Sequence, residues 1–196
     1  MTLCKILLSG SALCTIALVA AATGPQKAGQ GEPGKPVEAA SPKITPEHTM
    51  LKKMVGTWTA TVMTSMPGKA PTTSTATAEY KPVGDTWVES TFNGEMDGKP
   101  YIGHGVDGYD TFKNKFVSLW VDSWSTEMHV FEGTKDASSN ATTLSGECHD
   151  PATGKVVRER LVTEMKDNDS MTLHMYMPGP DGKEVEGMKI EFKRRK

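Results

Sequence analysis

From Thr57 to Lys193 apolar or small residues alternate with Thr, Ser, Lys and Glu at a period of two, the pattern of half-buried β-strands. The alternation predicts ten strands: 57–65, 72–81, 86–95, 101–109, 116–122, 126–134, 141–148, 156–165, 171–177 and 185–193. Short turns rich in Asp-Gly, Pro-Gly, Asn-Gly or Thr-Gly separate them. Just before this run the period changes. Met50, Leu51, Met54 and Val55 recur at helical spacing, with Thr45 placed as N-cap and Pro46 at the first helical position. His48 stands where a capping box uses Glu or Gln, so no box is expected there. Gly56 ends the helix, and Trp58 is the first large side chain a core can close on.

Connections this short require neighbouring antiparallel strands. A ten-stranded meander either leaves two open edges or closes on itself, and closure removes the edges. The predicted fold is therefore an all-β, antiparallel up-and-down barrel of about ten strands with a short N-terminal helix. A two-sheet sandwich is the alternative. Glycines at 103, 105 and 108 within one strand point to sharp bending or close backbone approach.

The first 45 residues follow a different pattern. Lys5, the apolar run 6–19 and Ala20-Ala21-Ala22 have the layout of a removable signal peptide over 1–22, cut near Thr23. Cys14 raises a lipoprotein reading, but Leu13 before it is large. Residues 23–45, rich in Gly, Pro, Ala, Lys and Glu, read as a disordered linker, leaving 46–196 as the folded domain. The expected address is periplasmic or secreted, with no stable membrane insertion after cleavage. Of three cysteines only Cys148 lies beyond the signal, so the mature chain forms no internal disulfide. The net charge of -2 is small and mixed, which argues against a nucleic-acid partner.

A barrel of this size encloses space for a small apolar or amphipathic molecule. Nine of the twelve methionines fall between Met63 and Met188, and Met171, Leu173, Met175 and Met177 share one strand face expected inside. Flexible thioethers line adaptable pockets, or fill an irregular core. Arg158 and Arg160 share a face with Val156 and Val162. Turned inward they could fork onto a ligand carboxylate; turned outward they would leave Leu161, Thr163 and Met165 as the core side. Trp120 and Asp122 share a face at a strand end, fitting either a ligand rim or a turn in which Asp122 and Ser123 satisfy backbone donors. Met175 completes the candidate ligand set of Trp120, Asp122, Arg158, Arg160 and Met175.

Catalytic and metal motifs are weak. Glu147-Cys148-His149-Asp150 offers four donors in a row, but adjacent strand residues point to opposite faces. His174-Met175-Tyr176-Met177 is a thin copper signal. There is no CxxC, HExxH or Gly-x-Ser-x-Gly. No metal, cofactor or catalytic residue is assigned on this basis.

The helix running into Gly56-Thr57-Trp58 resembles the Gly-x-Trp opening of calycin barrels, in which that Trp closes one end beneath an Arg of the last strand, here Arg194 or Arg195. A longer series, Pro46-Glu47-His48, Val55-Gly56-Thr57-Trp58, Gly108-Tyr109-Asp110, Trp120 through Thr126 and Gly179 through Glu184, resembles the bacterial domain of unknown function 1579, over about residues 46–193. The resemblance implies a calycin-like, lipocalin-like barrel and supplies no catalytic residues. Some calycin relatives bind haem, and His129 or His174 could offer an axial ligand, but the glycine-rich opening those relatives show after the Trp is missing. The functional expectation is an exported barrel that binds a small hydrophobic or amphipathic ligand. The alternatives are an interaction or structural module filled by its own side chains, or an enzyme acting on a cavity-bound substrate.

Overall fold

Pro46 opens α1 (Pro46–Lys52), with Thr45 extended at the N-cap. The computed structural model describes residues 41–65, 68, 70–96, 98–150 and 153–196; the signal segment and the linker up to residue 40 lie outside them. The cap corrects the expectation for His48. Its Nδ1 accepts the Thr45 backbone N–H at 3.0 Å, so an imidazole closes the capping box where a carboxylate usually does. The ring is buried, and Tyr109 meets it edge-on with centroids 5.8 Å apart.

Ten strands follow: β1 (Gly56–Thr64), β2 (Thr72–Val83), β3 (Trp87–Met96), β4 (Lys99–Asp110), β5 (Lys115–Asp122), β6 (His129–Lys135), β7 (Ala141–His149), β8 (Val156–Asp167), β9 (Ser170–Pro178) and β10 (Glu184–Arg194). Each pairs antiparallel with its neighbours, and β1 pairs β10 to close the barrel. One boundary departs from the alternation by more than two residues. β6 begins at His129 rather than Thr126, because Asp122 Oδ1 accepts the N–H groups of Trp124 and Ser125, and Ser125 Oγ accepts that of Glu127. Those bonds turn the chain where the sequence alone reads as strand.

The closed ladder sets which faces are inside. Trp58, Ala60 and Val62 of β1 are buried, as are Ala76, Ala78 and Tyr80 of β2. The helix end of the barrel carries α1 and the hairpins β2–β3, β4–β5, β6–β7 and β8–β9; the other five connections lie at the far end. At the helix end Trp58 is fully buried and donates its indole N–H to Met54 O at 2.8 Å. Arg194 lies over its ring, with the guanidinium carbon 4.1 Å from the ring centroid. The same guanidinium donates to Val55 O, Lys53 O and Asn168 O, each at 2.7 Å. Gly56 is required there twice. Its φ of 135° disfavours other residues, and a Cβ on it would lie 2.5 Å from Arg194 Nη1.

Candidate functional site

At the far end β4 and β5 present a linked aromatic and polar group to the lumen. Trp120 lies flat across two glycines of β4: a Cβ on Gly103 would come within 2.1 Å of its ring, and one on Gly105 within 3.1 Å. Close approach, not a bend, is what these glycines provide here. Trp120 Nε1 donates to Tyr101 Oη and to Asp122 Oδ2, both at 3.2 Å, and the Tyr101 hydroxyl donates to Asp122 Oδ2 at 3.1 Å. Burial pushes the Tyr101 phenol above its ordinary range, with Asp122 adding to the effect. Both sequence readings of Asp122 hold at once: Oδ1 organises the turn, while Oδ2 anchors the two rings.

Opposite this group stands an apolar wall. Met175 of β9 pairs with Leu161 of β8 and Met188 of β10, all facing inward. Leu161, Leu173, Met175, Met177 and Met188 are half-buried although they face the inside, so solvent reaches this part of the barrel's inner face. The helix end is tighter. A cavity of about 60 Å³ lies beneath Met50, Leu51 and Met54 of α1, lined also by Asp107, Phe116 and Met171. That volume is far below the roughly 300–1,000 Å³ of small-molecule pockets. Asp107 lines that cavity. Burial pushes its carboxyl up to about 6, against the opposing pull of a hydrogen bond from Ser118.

Three more inward side chains meet at the far end: His129 of β6, Cys148 of β7 and Glu159 of β8, whose donor atoms all lie within 4.8 Å of one another. Burial holds the Cys148 thiol up at about 12, and the neighbouring carboxylates add to it, Glu159 first. His149 points the other way and binds Glu127 at 2.9 Å, so the adjacent Cys–His pair does diverge. The sequence contained a signal for the trio only as inward parity on three successive strands, which needs the register to be known.

Arg158 and Arg160 fall on the outside, opposite Leu161, Thr163 and Met165, correcting the inward alternative for them. Register decides it: Leu161 pairs with the inward Leu144 and Met175. Arg160 makes a two-pronged bond to Glu184, at 2.9 and 2.5 Å, and lies 4.0 Å over the Tyr176 ring. With Arg158, Ser145 and Gly182 these residues border an outer groove of about 300 Å³. Trp120, Asp122 and Met175 therefore share the lumen, while the two arginines do not.

Comparison with solved structures supports this architecture. Rv2717c from M. tuberculosis is 16% identical, with a TM-score of 0.60 over 79% of this chain and 100% of its own. The S-type phycobiliprotein lyase CPES from Guillardia theta is 10% identical, with a TM-score of 0.51 over 76% of this chain and 92% of its own. A redesigned β-barrel, mFAP0, bound to DFHBI, is 16% identical with a TM-score of 0.39, covering 72% of this chain and 99% of that one. At these identities the likeness to the first two speaks for the fold alone. A comparison with curated proteins finds no match. The family described as "Protein of unknown function (DUF1579)" matches residues 43–194, and the chain, a calycin-like β-barrel, belongs to it.

Proposed function

We propose that this protein is exported, to the periplasm or beyond the cell, and carries a small hydrophobic or amphipathic molecule in the far half of its barrel. The observation that carries the reading is the half-buried state of inward-facing Leu161, Leu173, Met175 and Met188 beside the polar Tyr101–Trp120–Asp122 group. Apolar side chains left short of contact inside a barrel gain by covering a ligand's hydrocarbon surface, about 25 cal/mol per Å². Thioethers adjust to its shape. The indole and phenol give its polar end a place to bond. The export part rests on the signal-like residues 1–22.

The competing reading is a barrel that works through its outside. It draws on an apolar row in which exposed Val106 and Val130 flank half-buried Leu119 across β4, β5 and β6, with exposed Ile102 and Val121 beside it. One experiment separates the two. Protein purified from its own host is weighed by native mass spectrometry and titrated with an environment-sensitive fluorescent fatty acid. The lumen reading expects co-purifying mass or uptake of one equivalent, lost when Met175→Trp fills the space. A clean apo mass with no uptake would sink it and leave the outer face.

A further inference from the structure

β6, β7 and β8 each turn one metal-binding donor inward near the far end, and each donor is of a different kind. His129 offers imidazole nitrogen, Cys148 sulfur and Glu159 carboxylate oxygen, all within 4.8 Å of one another. The strands bring them together by register. Cys148 pairs with Val157, so Glu159 is its diagonal neighbour on the same face. The β6–β7 ladder runs from Lys135↔Thr142 to Glu132↔Ser145 and stops. Continued, it would set His129 directly opposite Cys148. The regular pairing ends before that point, but the strands stay close: a Cβ on Gly146 would lie 2.3 Å from Val130 O, and His149 N–H donates to Glu127 at 2.9 Å.

The surroundings favour a cation. Glu127 and Asp150 add their negative charge to that of Glu159 around Cys148. Cys148 is only 4% exposed, so a cation held there would lie out of bulk water. His129 makes no side-chain hydrogen bond with a described residue, and its ring lies parallel to that of Phe131, with an interplanar angle of 8°. A tetrahedral ion with bonds of about 2.0–2.3 Å wants its donors roughly 3.3–3.6 Å apart. Closing from 4.8 Å or less to that spacing takes about 1 Å or so, within reach of side-chain rotation on a fixed backbone.

The geometry points to a site for a zinc-class divalent cation held by His129, Cys148 and Glu159. One imidazole, one thiolate and one carboxylate are all ordinary zinc ligands. Three protein ligands leave the fourth position to a water or to a donor group of a molecule in the lumen, the arrangement of reactive rather than purely structural zinc sites. The site does not depend on the lumen holding an amphipathic ligand, and its test reads the metal alone.

The full chain is stripped with a chelator and titrated with Co²⁺, then Zn²⁺. The expected result is one equivalent of cobalt with a thiolate-to-cobalt charge-transfer band, displaced by zinc. Cys148→Ser abolishes the band. His129→Ala and Glu159→Gln weaken binding by at least the roughly 10–100-fold that loss of an outer-shell partner costs. Zinc also slows alkylation of Cys148 in the unsubstituted protein at least tenfold, a readout that needs no variant to fold. Cobalt bound without the band, binding that survives Cys148→Ser at the surface pairs His149–Glu127 or His174–Glu186, or alkylation indifferent to one equivalent of zinc would each overturn the site.

Discussion

The two ends of this barrel contain similar residue types and use them in opposite ways. At the helix end an aromatic ring, a charged group and a histidine are each committed to the backbone. Trp58 bonds Met54 O, Arg194 bonds three carbonyls, and His48 bonds the Thr45 N–H. At the far end the corresponding groups bond mainly to one another, as in Trp120–Tyr101–Asp122, or face the lumen with donors to spare, as His129 does. Polar groups tied to backbone fix a fold. Polar groups tied to each other around half-buried apolar surface are free to exchange partners with a ligand. The difference teaches that aromatic and charged residues in a barrel are sorted into structural and functional sets by their partners, not by their type.

Removing a group tied to the backbone at the helix end should therefore unfold the protein, and substitutions at the far end should not. The largest expected effect is Trp58→Ala, a loss of about 3–5 kcal/mol by denaturant unfolding, the range for truncating a buried large aromatic. Equal stability of that variant would remove the plug from the helix end. Next comes Asp107→Asn, which should stabilise the fold by about 1–3 kcal/mol at pH 7. The sign follows from a folded carboxyl titrating at about 6, above its ordinary value of 3.8. The folded state holds the proton more tightly, so this group's contribution to stability is full below about pH 4 and is lost as pH rises through 6. The advantage of the asparagine variant should accordingly shrink towards pH 4, read from unfolding midpoints across that range. The smallest effect is Tyr101→Phe, about 0.5–1.5 kcal/mol, because Trp120 keeps its bond to Asp122. The same variant should weaken uptake of the fluorescent fatty acid by more than its stability loss implies. A Tyr101→Phe protein as damaged as Trp58→Ala would erase the contrast between the ends.

Legibility in the sequence follows the same division. All ten strands, the closing helix, Gly56, Trp58 and an arginine of the last strand were readable, because each rests on local periodicity or on a short motif with a mechanical role. β8 was not. Its two faces, Val156–Arg158–Arg160–Val162 and Val157–Glu159–Leu161–Thr163–Met165, carry similar mixtures, and only pairing with Leu144 and Met175 chooses between them. The start of β6 was obscured because Asp122 caps a turn whose residues have strand propensity. His48 was misread because a buried imidazole can accept the N–H that exposed caps give to Glu. The trio of His129, Cys148 and Glu159 is spread over three strands, with no local spacing to announce it. What the sequence hides is tertiary register, and that is where the candidate site lies.

Closure by β1 and β10 also bears on how the chain folds. The bond from Arg194 to Val55 joins residues 139 positions apart, and seven β1 residues wait for partners on β10. β2 to β9 can zip up as successive hairpins, each a short loop closure. Trp58 cannot be sealed until the final strand arrives, so the slowest step should be this one long-range capture, as expected of topologies rich in distant contacts. Until then the edges of β1 and β9 stay exposed to pairing with other chains. A barrel that ends its own folding by covering its first tryptophan is most at risk of aggregation in the interval before Arg194 docks.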